Sequence, residues 1–297
     1  MNDLKEQEVN DMLEKEQIRE LKRFSKRIQM EVMKMIAEIG VGHLGGSLSI
    51  TDLLAVLYGA EMKYDPKNPR WEGRDWLVVS KGHSGPAVYA ALALKGFMPM
   101  SRLATLNRPG TDLPSHCDRN HTPGIDMTTG SLGQGASSAA GIALAHKMDG
   151  KKNRIYLVLG DGELDEGQVW EMALFAPQHR LSNLTAFVDY NRLQLDGPTD
   201  EICALGDIAA KFREFGWYAQ SIDGHDVSAV YEAIEKAKKE SEKPSMIVLN
   251  TIKGNGWSGS AGRASCHNQT VSKEQLADAL REMEAALKEI EEEGENE

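Results

Sequence analysis

The chain has 297 residues, with 34 Lys+Arg against 45 Asp+Glu for a formal net charge of -11, and is 41% hydrophobic and 27% charged. That profile excludes a disordered or fibrous chain, and the acidic balance leaves no broad footprint for nucleic acid or anionic lipid. Three scattered cysteines, Cys117, Cys203 and Cys266, suit neither a disulfide framework nor a structural zinc site, and residues 1–23 hold no apolar run of signal-peptide or membrane-span length. A cytoplasmic protein is therefore expected.

After a charged extension over residues 1–16, the apolar residues Ile18, Leu21, Phe24, Ile28, Val32, Met35, Ile36 and Ile39 recur at spacings of three and four. They predict an amphipathic helix over 17–39 that Gly40 stops. A helix at 50–57, a strand at 76–79 and helices at 86–94 and 136–148 follow. Next come a strand at 155–159, a helix at 168–175, a strand at 184–188 and a helix at 207–215. The series closes with a strand at 217–222, a helix at 227–239 and a strand at 246–249. The strands are mostly unbroken apolar runs, as expected of strands buried on both faces. Length allows one large domain or two. The alternation favours an α/β fold, a doubly wound, mainly parallel sheet with helices on both faces, as a single domain over 1–297. Residues 272–297 read as a C-terminal helix with an acidic tail.

Glycine is frequent, 28 residues, and much of it clusters where strand-to-helix turns place the C-terminal edge of the sheet, the edge at which open α/β sheets bind ligands. Strand 155–159 ends in Gly160-Asp161-Gly162 and strand 184–188 in Asp189-Tyr190-Asn191. The carboxylate of Asp161 and the amide oxygen of Asn191 are hard ligands suited to Mg²⁺, and flanking glycines let a bulky anion approach the backbone. The plainer alternative makes Asp161 a helix cap and Asn191 an Asx-turn.

Gly160-Asp161-Gly162 with Asn191 about thirty residues on resembles the thiamine diphosphate motif, and the surrounding blocks narrow the resemblance to transketolases. Those blocks are Gly42-His43-Leu44-Gly45, Ser80-Lys81-Gly82-His83, Thr128-Thr129-Gly130-Ser131-Leu132-Gly133-Gln134-Gly135, Gly160-Asp161-Gly162-Glu163-Leu164-Asp165-Glu166-Gly167 and Ile222-Asp223-Gly224-His225-Asp226. They run in the family's order over residues 24–267, the part of a full-length transketolase that binds the diphosphate end of the cofactor. The fold this implies is the thiamine diphosphate-binding, or PP, domain.

The resemblance implies that Asp161, Asn191 and the backbone carbonyl of Leu193 hold Mg²⁺, with Ca²⁺ or Mn²⁺ able to substitute. It places His83, Gly130 and Gly162 at the thiamine diphosphate and Leu132 near its rings. It makes His43, His83, His116 and His267 the imidazoles lining the channel to the reactive carbon, His267 also touching the cofactor. Two blocks depart from the family pattern: Pro114-Ser115-His116-Cys117-Asp118, and Ser265-Cys266-His267-Asn268-Gln269-Thr270, where a glycine usually follows the histidine. Glu166 matches a glutamate that couples the two active sites at the subunit interface and is grouped with the cofactor residues. Read from its own sequence context, it equally suits the first turn of a helix. The Gly130 to Gly135 block has its own plainer alternative, a close helix-to-strand contact.

In transketolases the glutamate that activates the cofactor's aminopyrimidine ring comes from a second domain, for which this chain has no room after Thr251. The resemblance therefore implies the N-terminal subunit of a split transketolase, inactive alone. A partner chain carrying the pyrimidine-binding and C-terminal domains would complete it in an α2β2 assembly, moving a two-carbon ketol unit from a ketose or ketose phosphate to an aldose. The competing readings are a deoxyxylulose phosphate synthase-like or 2-oxo acid dehydrogenase-like subunit, and a non-catalytic subunit that binds the cofactor.

Overall fold

A computed structural model describes residues 13–295 of the chain, so most of the charged N-terminal extension lies outside the described residues. Helix α1 (Lys15–Ile39) opens with a capping box in which the Glu14 backbone N–H donates to the Gln17 side chain at 2.8 Å and the Gln17 N–H to the Glu14 carboxylate. Its buried face includes Leu21, Ile28, Val32, Met35 and Ile36, and Gly40 ends it at φ 90° with its N–H on the Ile36 carbonyl. A two-residue strand β1 (Val41–Gly42), a short helix α2 (Gly45–Leu48) and α3 (Thr51–Val56), which runs into a π-helical turn (Leu57–Glu61), come next. The chain continues through β2 (Trp76–Val79), α4 (Gly85–Leu94), α5 (Gln134–Met148), β3 (Ile155–Gly160), α6 (Gly167–Gln178) and β4 (Leu184–Tyr190). It ends with α7 (Thr199–Ile202), α8 (Ile208–Glu214), β5 (Tyr218–Asp223), α9 (Val227–Lys239), β6 (Ser245–Asn250), β7 (Gln269–Thr270) and α10 (Lys273–Glu295).

Strands β2 to β6 form one parallel sheet in the order β2-β3-β4-β6-β5, the α/β architecture expected from the apolar runs. Alternate residues of those runs face opposite sides. Val79, Tyr156, Val158, Phe187, Ile247 and Leu249 join a core shared with α1, α3, α4 and α9, to which α10 adds Ala279 and Met283. Val78, Leu157, Leu159, Ala186, Val188 and Met246 join a second core on the other face, under α5, α6 and α8. Each large apolar side chain removed from water is worth about 1.5–3 kcal/mol, so a sheet apolar on both faces is stable only with helices on both.

Parallel pairing sends every connection back to the same edge, so the loops after β2, β3, β4, β5 and β6 gather there. A small antiparallel pair reinforces that edge: Val41 pairs with Thr270 and Gly42 with Gln269, joining β1 and β7. Two-residue strands have no periodicity for a sequence to display, and this pair was not anticipated. Among the described residues, no helix is long and apolar enough to cross a membrane.

Candidate functional site

A cavity of about 310 Å³ opens at the C-terminal edge of the sheet. His43, His83, His116 and His267 line one side of it, and Gly130, Leu132, Asp161, Gly162, Asn191 and Leu193 line the rest, together with Lys81, Glu163 and Lys253. Of the residues singled out from sequence, only Glu166 stands apart. It is exposed at the N-terminus of α6, with a non-helical backbone and no capping hydrogen bond from its side chain.

The imidazoles arrive from four separate segments. His43 follows β1 and His267 precedes β7, so the β1–β7 pair holds both, with ring centroids 5.6 Å apart. His83 lies on the turn after β2, 5.5 Å from His43 and 5.0 Å from His267, and His116 lies 5.3 Å from His43. Glycine makes this spacing possible: a Cβ on Gly82 would lie 2.7 Å from the Thr129 backbone, and Gly130 sits at φ 150° with His116 beside it. Burial lowers the pKa of all four rings. At His83 the Lys81 ammonium adds to it, and at His267 burial, then Lys253 and His43, bring the value to about 4. Near neutral pH the cavity therefore presents uncharged imidazoles, each able to donate and accept a proton.

Below the rings, Asp161 is buried, and its carboxylate accepts the Gly162 N–H at 2.8 Å and the Arg192 N–H at 2.6 Å. Burial, and after it the neighbouring Asp189 carboxylate, raise its pKa to about 7 despite those donors. Asn191 turns its Nδ2 to Asp189 at 3.1 Å and its Oδ1 to the Leu193 N–H, also at 3.1 Å. The Leu193 carbonyl accepts the Lys253 ammonium at 2.8 Å, which leaves the second lone pair of that oxygen free. Among the described residues no three His, Cys, Asp or Glu side chains converge as a self-contained metal site. What is present is one buried carboxylate that desolvation penalises, with an amide and a carbonyl oxygen beside it. That donor set fits a hard divalent cation that completes its shell with ligand phosphate oxygens and water.

Three charged residues of the cavity were not singled out from sequence. Lys81, 1% exposed, forms an ion pair with the fully buried Asp189. Glu163, also buried, accepts from Ser80 Oγ and from the Gly133 and Gly160 N–H groups, tying together the loops after β2 and β3 and the start of α5. Lys253 follows β6 and donates to the carbonyls of Leu193 and Gln194. Lys81 and Glu163 stand inside blocks already noted for their glycines and histidines, which was the available signal. Lys253 had none.

The plainer alternatives are partly realised: Asp161 caps the short turn Gly162–Asp165 through the Gly162 N–H, and Asn191 Oδ1 closes an Asx-turn on the Leu193 N–H, while both residues also line the cavity. Gly135 provides a close helix-to-strand approach, since a Cβ there would lie 2.4 Å from Ser80 Oγ, whereas Gly130 faces the cavity. His225 stays out of it: its Nε2 accepts the Ile252 N–H at 2.8 Å and its Nδ1 meets Asp52 at 2.9 Å, fastening the loop that carries Lys253.

A parallel sheet that gathers hard oxygen donors, close-approach glycines and uncharged imidazoles at its C-terminal edge is the frame of a ligand-binding α/β protein. The chain belongs to the transketolase family: the family described as transketolase, thiamine diphosphate binding domain, matches residues 21–287. It is 56% identical over 257 residues to the 6-deoxy-6-sulfo-D-fructose transketolase subunit SqwG of a Clostridium species, covering 86% of this chain and 94% of that one. It is 33% identical to an apulose-4-phosphate transketolase subunit of Phocaeicola vulgatus, over 93% of this chain and 98% of the other. Human transketolase is matched at 33% identity over 91% of this chain but only 43% of its own length. Among solved structures, Campylobacter jejuni transketolase superposes with a TM-score of 0.83 at 29% identity, covering 91% of this chain and 43% of that one.

Proposed function

We propose that this chain is the N-terminal, diphosphate-binding subunit of a two-chain transketolase, a single domain over its whole length, working in the cytoplasm with a partner chain in an α2β2 assembly. The observation that carries this reading is the cavity itself, where four uncharged imidazoles, each with another ring 5.0–5.6 Å away, share the lining with Asp161 and Asn191. Bound thiamine diphosphate would supply a carbon nucleophile toward the ketose carbonyl and a sink for the electrons released when the adjacent carbon–carbon bond breaks.

The chain's own residues prepare for that chemistry. Asp161, Asn191 and the Leu193 carbonyl would hold Mg²⁺, with Ca²⁺ or Mn²⁺ as substitutes, and Gly130, Gly162 and His83 would receive the diphosphate. Leu132, at the edge of the cavity, offers an apolar surface to the cofactor rings. Lys253 brings a positive charge to the diphosphate end, the floor where Lys81 is already neutralised by Asp189. His43, His83, His116 and His267 would hold the carbonyl and hydroxyl oxygens of the sugar and move protons to and from them, a task for which an uncharged imidazole at neutral pH is suited. Glu166, exposed at the N-terminus of α6, is available to a neighbouring subunit.

The 56% identity to a sulfofructose transketolase subunit supports a sulfonated ketose as donor, in preference to a plain pentose phosphate. The test is to isolate the tagged chain with its co-purifying partner and assay ketol transfer from 6-deoxy-6-sulfo-fructose and from ketose phosphates, with Mg²⁺ and thiamine diphosphate. Turnover by the complex and none by the chain alone is the expected result. Ordinary turnover by the chain alone would overturn the split-enzyme reading, and a requirement for pyruvate as donor would favour the synthase-like alternative. Cofactor binding by the complex without turnover of any ketose would mark a non-catalytic subunit.

A further inference from the structure

Asp189 is a fully buried carboxylate near the end of β4, and four side chains from four segments donate to it. Ser49 Oγ reaches Oδ2 at 2.6 Å, the Lys81 ammonium meets the same oxygen, Asn191 Nδ2 approaches it at 3.1 Å, and Thr251 Oγ1 bonds to Oδ1. A buried ion pair of this kind contributes little net stability. The cost of desolvating two charges cancels much of their attraction, and well-packed apolar residues often serve a fold as well.

What the pair accomplishes is visible at Asn191. A carboxylate only accepts, so Asn191 can face Asp189 only with its NH₂ group. Its amide oxygen is thereby turned away, toward the Leu193 N–H on the cavity side, where Asp161 and the Leu193 carbonyl lie. Lys81 in turn holds Asp189 in place and in charge. An unconstrained asparagine has two amide orientations, one of which would present N–H donors to a cation.

We propose that Asp189, held by Lys81, is a positioning residue that fixes the amide orientation of Asn191 and so assembles the divalent cation site. This rests on the cation reading of Asp161, Asn191 and Leu193. It places the determinant of cation affinity two residues before the ligand and on a side chain that touches neither cation nor substrate.

The experiment is Mn²⁺ binding followed by electron paramagnetic resonance, in the presence of thiamine diphosphate, on the full chain assembled with its co-purifying partner. Circular dichroism and melting temperature control for folding. The paired substitution Lys81→Met with Asp189→Leu removes the ion pair without leaving a lone buried charge, and is expected to weaken Mn²⁺ binding by roughly 10- to 100-fold, the usual effect of losing a group that orients a ligand. Asp189→Asn keeps the size but presents a donor as well as an acceptor and leaves Lys81 without its counter-ion, so it no longer enforces one amide orientation, and Mn²⁺ binding clearly weaker than the parent's is expected. Asn191→Asp guards against misfolding of the paired variant. The added charge alone would tighten Mn²⁺ binding, but a carboxylate facing Asp189 has no proton to give it and is repelled, so weaker binding is expected. Parent-like binding by a folded paired variant, or tighter binding by Asn191→Asp, overturns the inference and leaves the cation reading standing. Absence of Mn²⁺ binding by the parent complex overturns both.

Discussion

His267 is where burial matters most for a single residue, because desolvation, Lys253 and His43 together hold its ring at about pKa 4. An unfolded histidine titrates near 6.5, so the folded chain binds fewer protons than the unfolded one between those values. The direction follows: stability is fully present above about pH 6.5 and is lost as pH falls from there toward 4. His43, His83 and His116 shift in the same direction and add to the effect, while burial raises Asp161 and Glu61 to about 7 and also raises Asp126 and Glu163, and these carboxylates oppose it, since their protonation favours the folded form as pH falls. Thermal melts of the parent and of His267→Gln at pH 8 and pH 5 isolate the His267 contribution: on going to pH 5 the variant is expected to lose less melting temperature, or gain more, than the parent, and an identical pH dependence in the two would refute it. On the proposed role of this residue at the sugar, His267→Ala in the partnered protein is expected to cut ketol transfer by about 10²- to 10⁴-fold, the span of general acid–base contributions. At neutral pH its melting temperature should stay near that of the parent.

At the scale of elements, the site depends on how closely its turns approach one another, and at Gly82 one turn meets the backbone of another. A methyl group there would stand 2.7 Å from the Thr129 carbonyl carbon and 2.8 Å from the Gly130 nitrogen, both backbone atoms unable to swing aside. Gly82→Ala is therefore expected to cost about 1–3 kcal/mol, the range for overpacking, and to displace His83 from the cluster. Denaturant unfolding measures the first effect and loss of activity with the partner the second. On the far side of the same layer, Met283 of α10 is fully buried against α1, and Met283→Ala should cost about 2–5 kcal/mol while leaving cofactor affinity unchanged.

These elements differ in how openly the sequence announced them. The five central strands were legible because unbroken apolar runs such as Ile155 to Leu159 have few other uses, and the long helices because Leu21, Ile28, Val32 and Ile36 repeat at helical spacing. The pair β1–β7 was not legible, since two residues carry no period and Val41 meets Thr270 only through a contact across more than 200 positions. The four imidazoles were found as separate motif residues, but what brings His43 and His267 together is that unannounced pair. Lys81 and Asp189 escaped for a related reason: a charged residue in a sequence reads as surface, and only the fold shows each as the other's counter-ion.

For the whole molecule, the decisive feature is the side of the cavity that the chain leaves uncovered. Leu132 is 37% exposed and Leu195 61% exposed, and both line the cavity on its open side. Ile202, 46% exposed, follows on the same stretch of chain, and Phe175 of α6 is 38% exposed beside a mostly apolar groove between α5 and α6. Exposed leucines at the mouth of a polar site cost solvation free energy unless another surface covers them. The relatives that place this domain in a single longer chain are matched over only 43% of their length, which leaves a second half of comparable size to do so. Leu195→Asp tests that arrangement without touching the cores, because the side chain is already in solvent in the isolated chain. The variant should keep the parent's melting temperature when alone, yet bind the partner roughly tenfold or more weakly, which is about 1.4 kcal/mol or more, within the range for charging an apolar contact at an interface. Titration by isothermal calorimetry or analytical ultracentrifugation reads the difference, and ketol transfer at limiting partner concentration should fall in proportion and recover when partner is added in excess. Recovery matters because it separates a weakened interface from a damaged site: a variant that associates as tightly as the parent would place the partner elsewhere on the molecule, whereas one whose activity never recovers would place Leu195 in the chemistry itself.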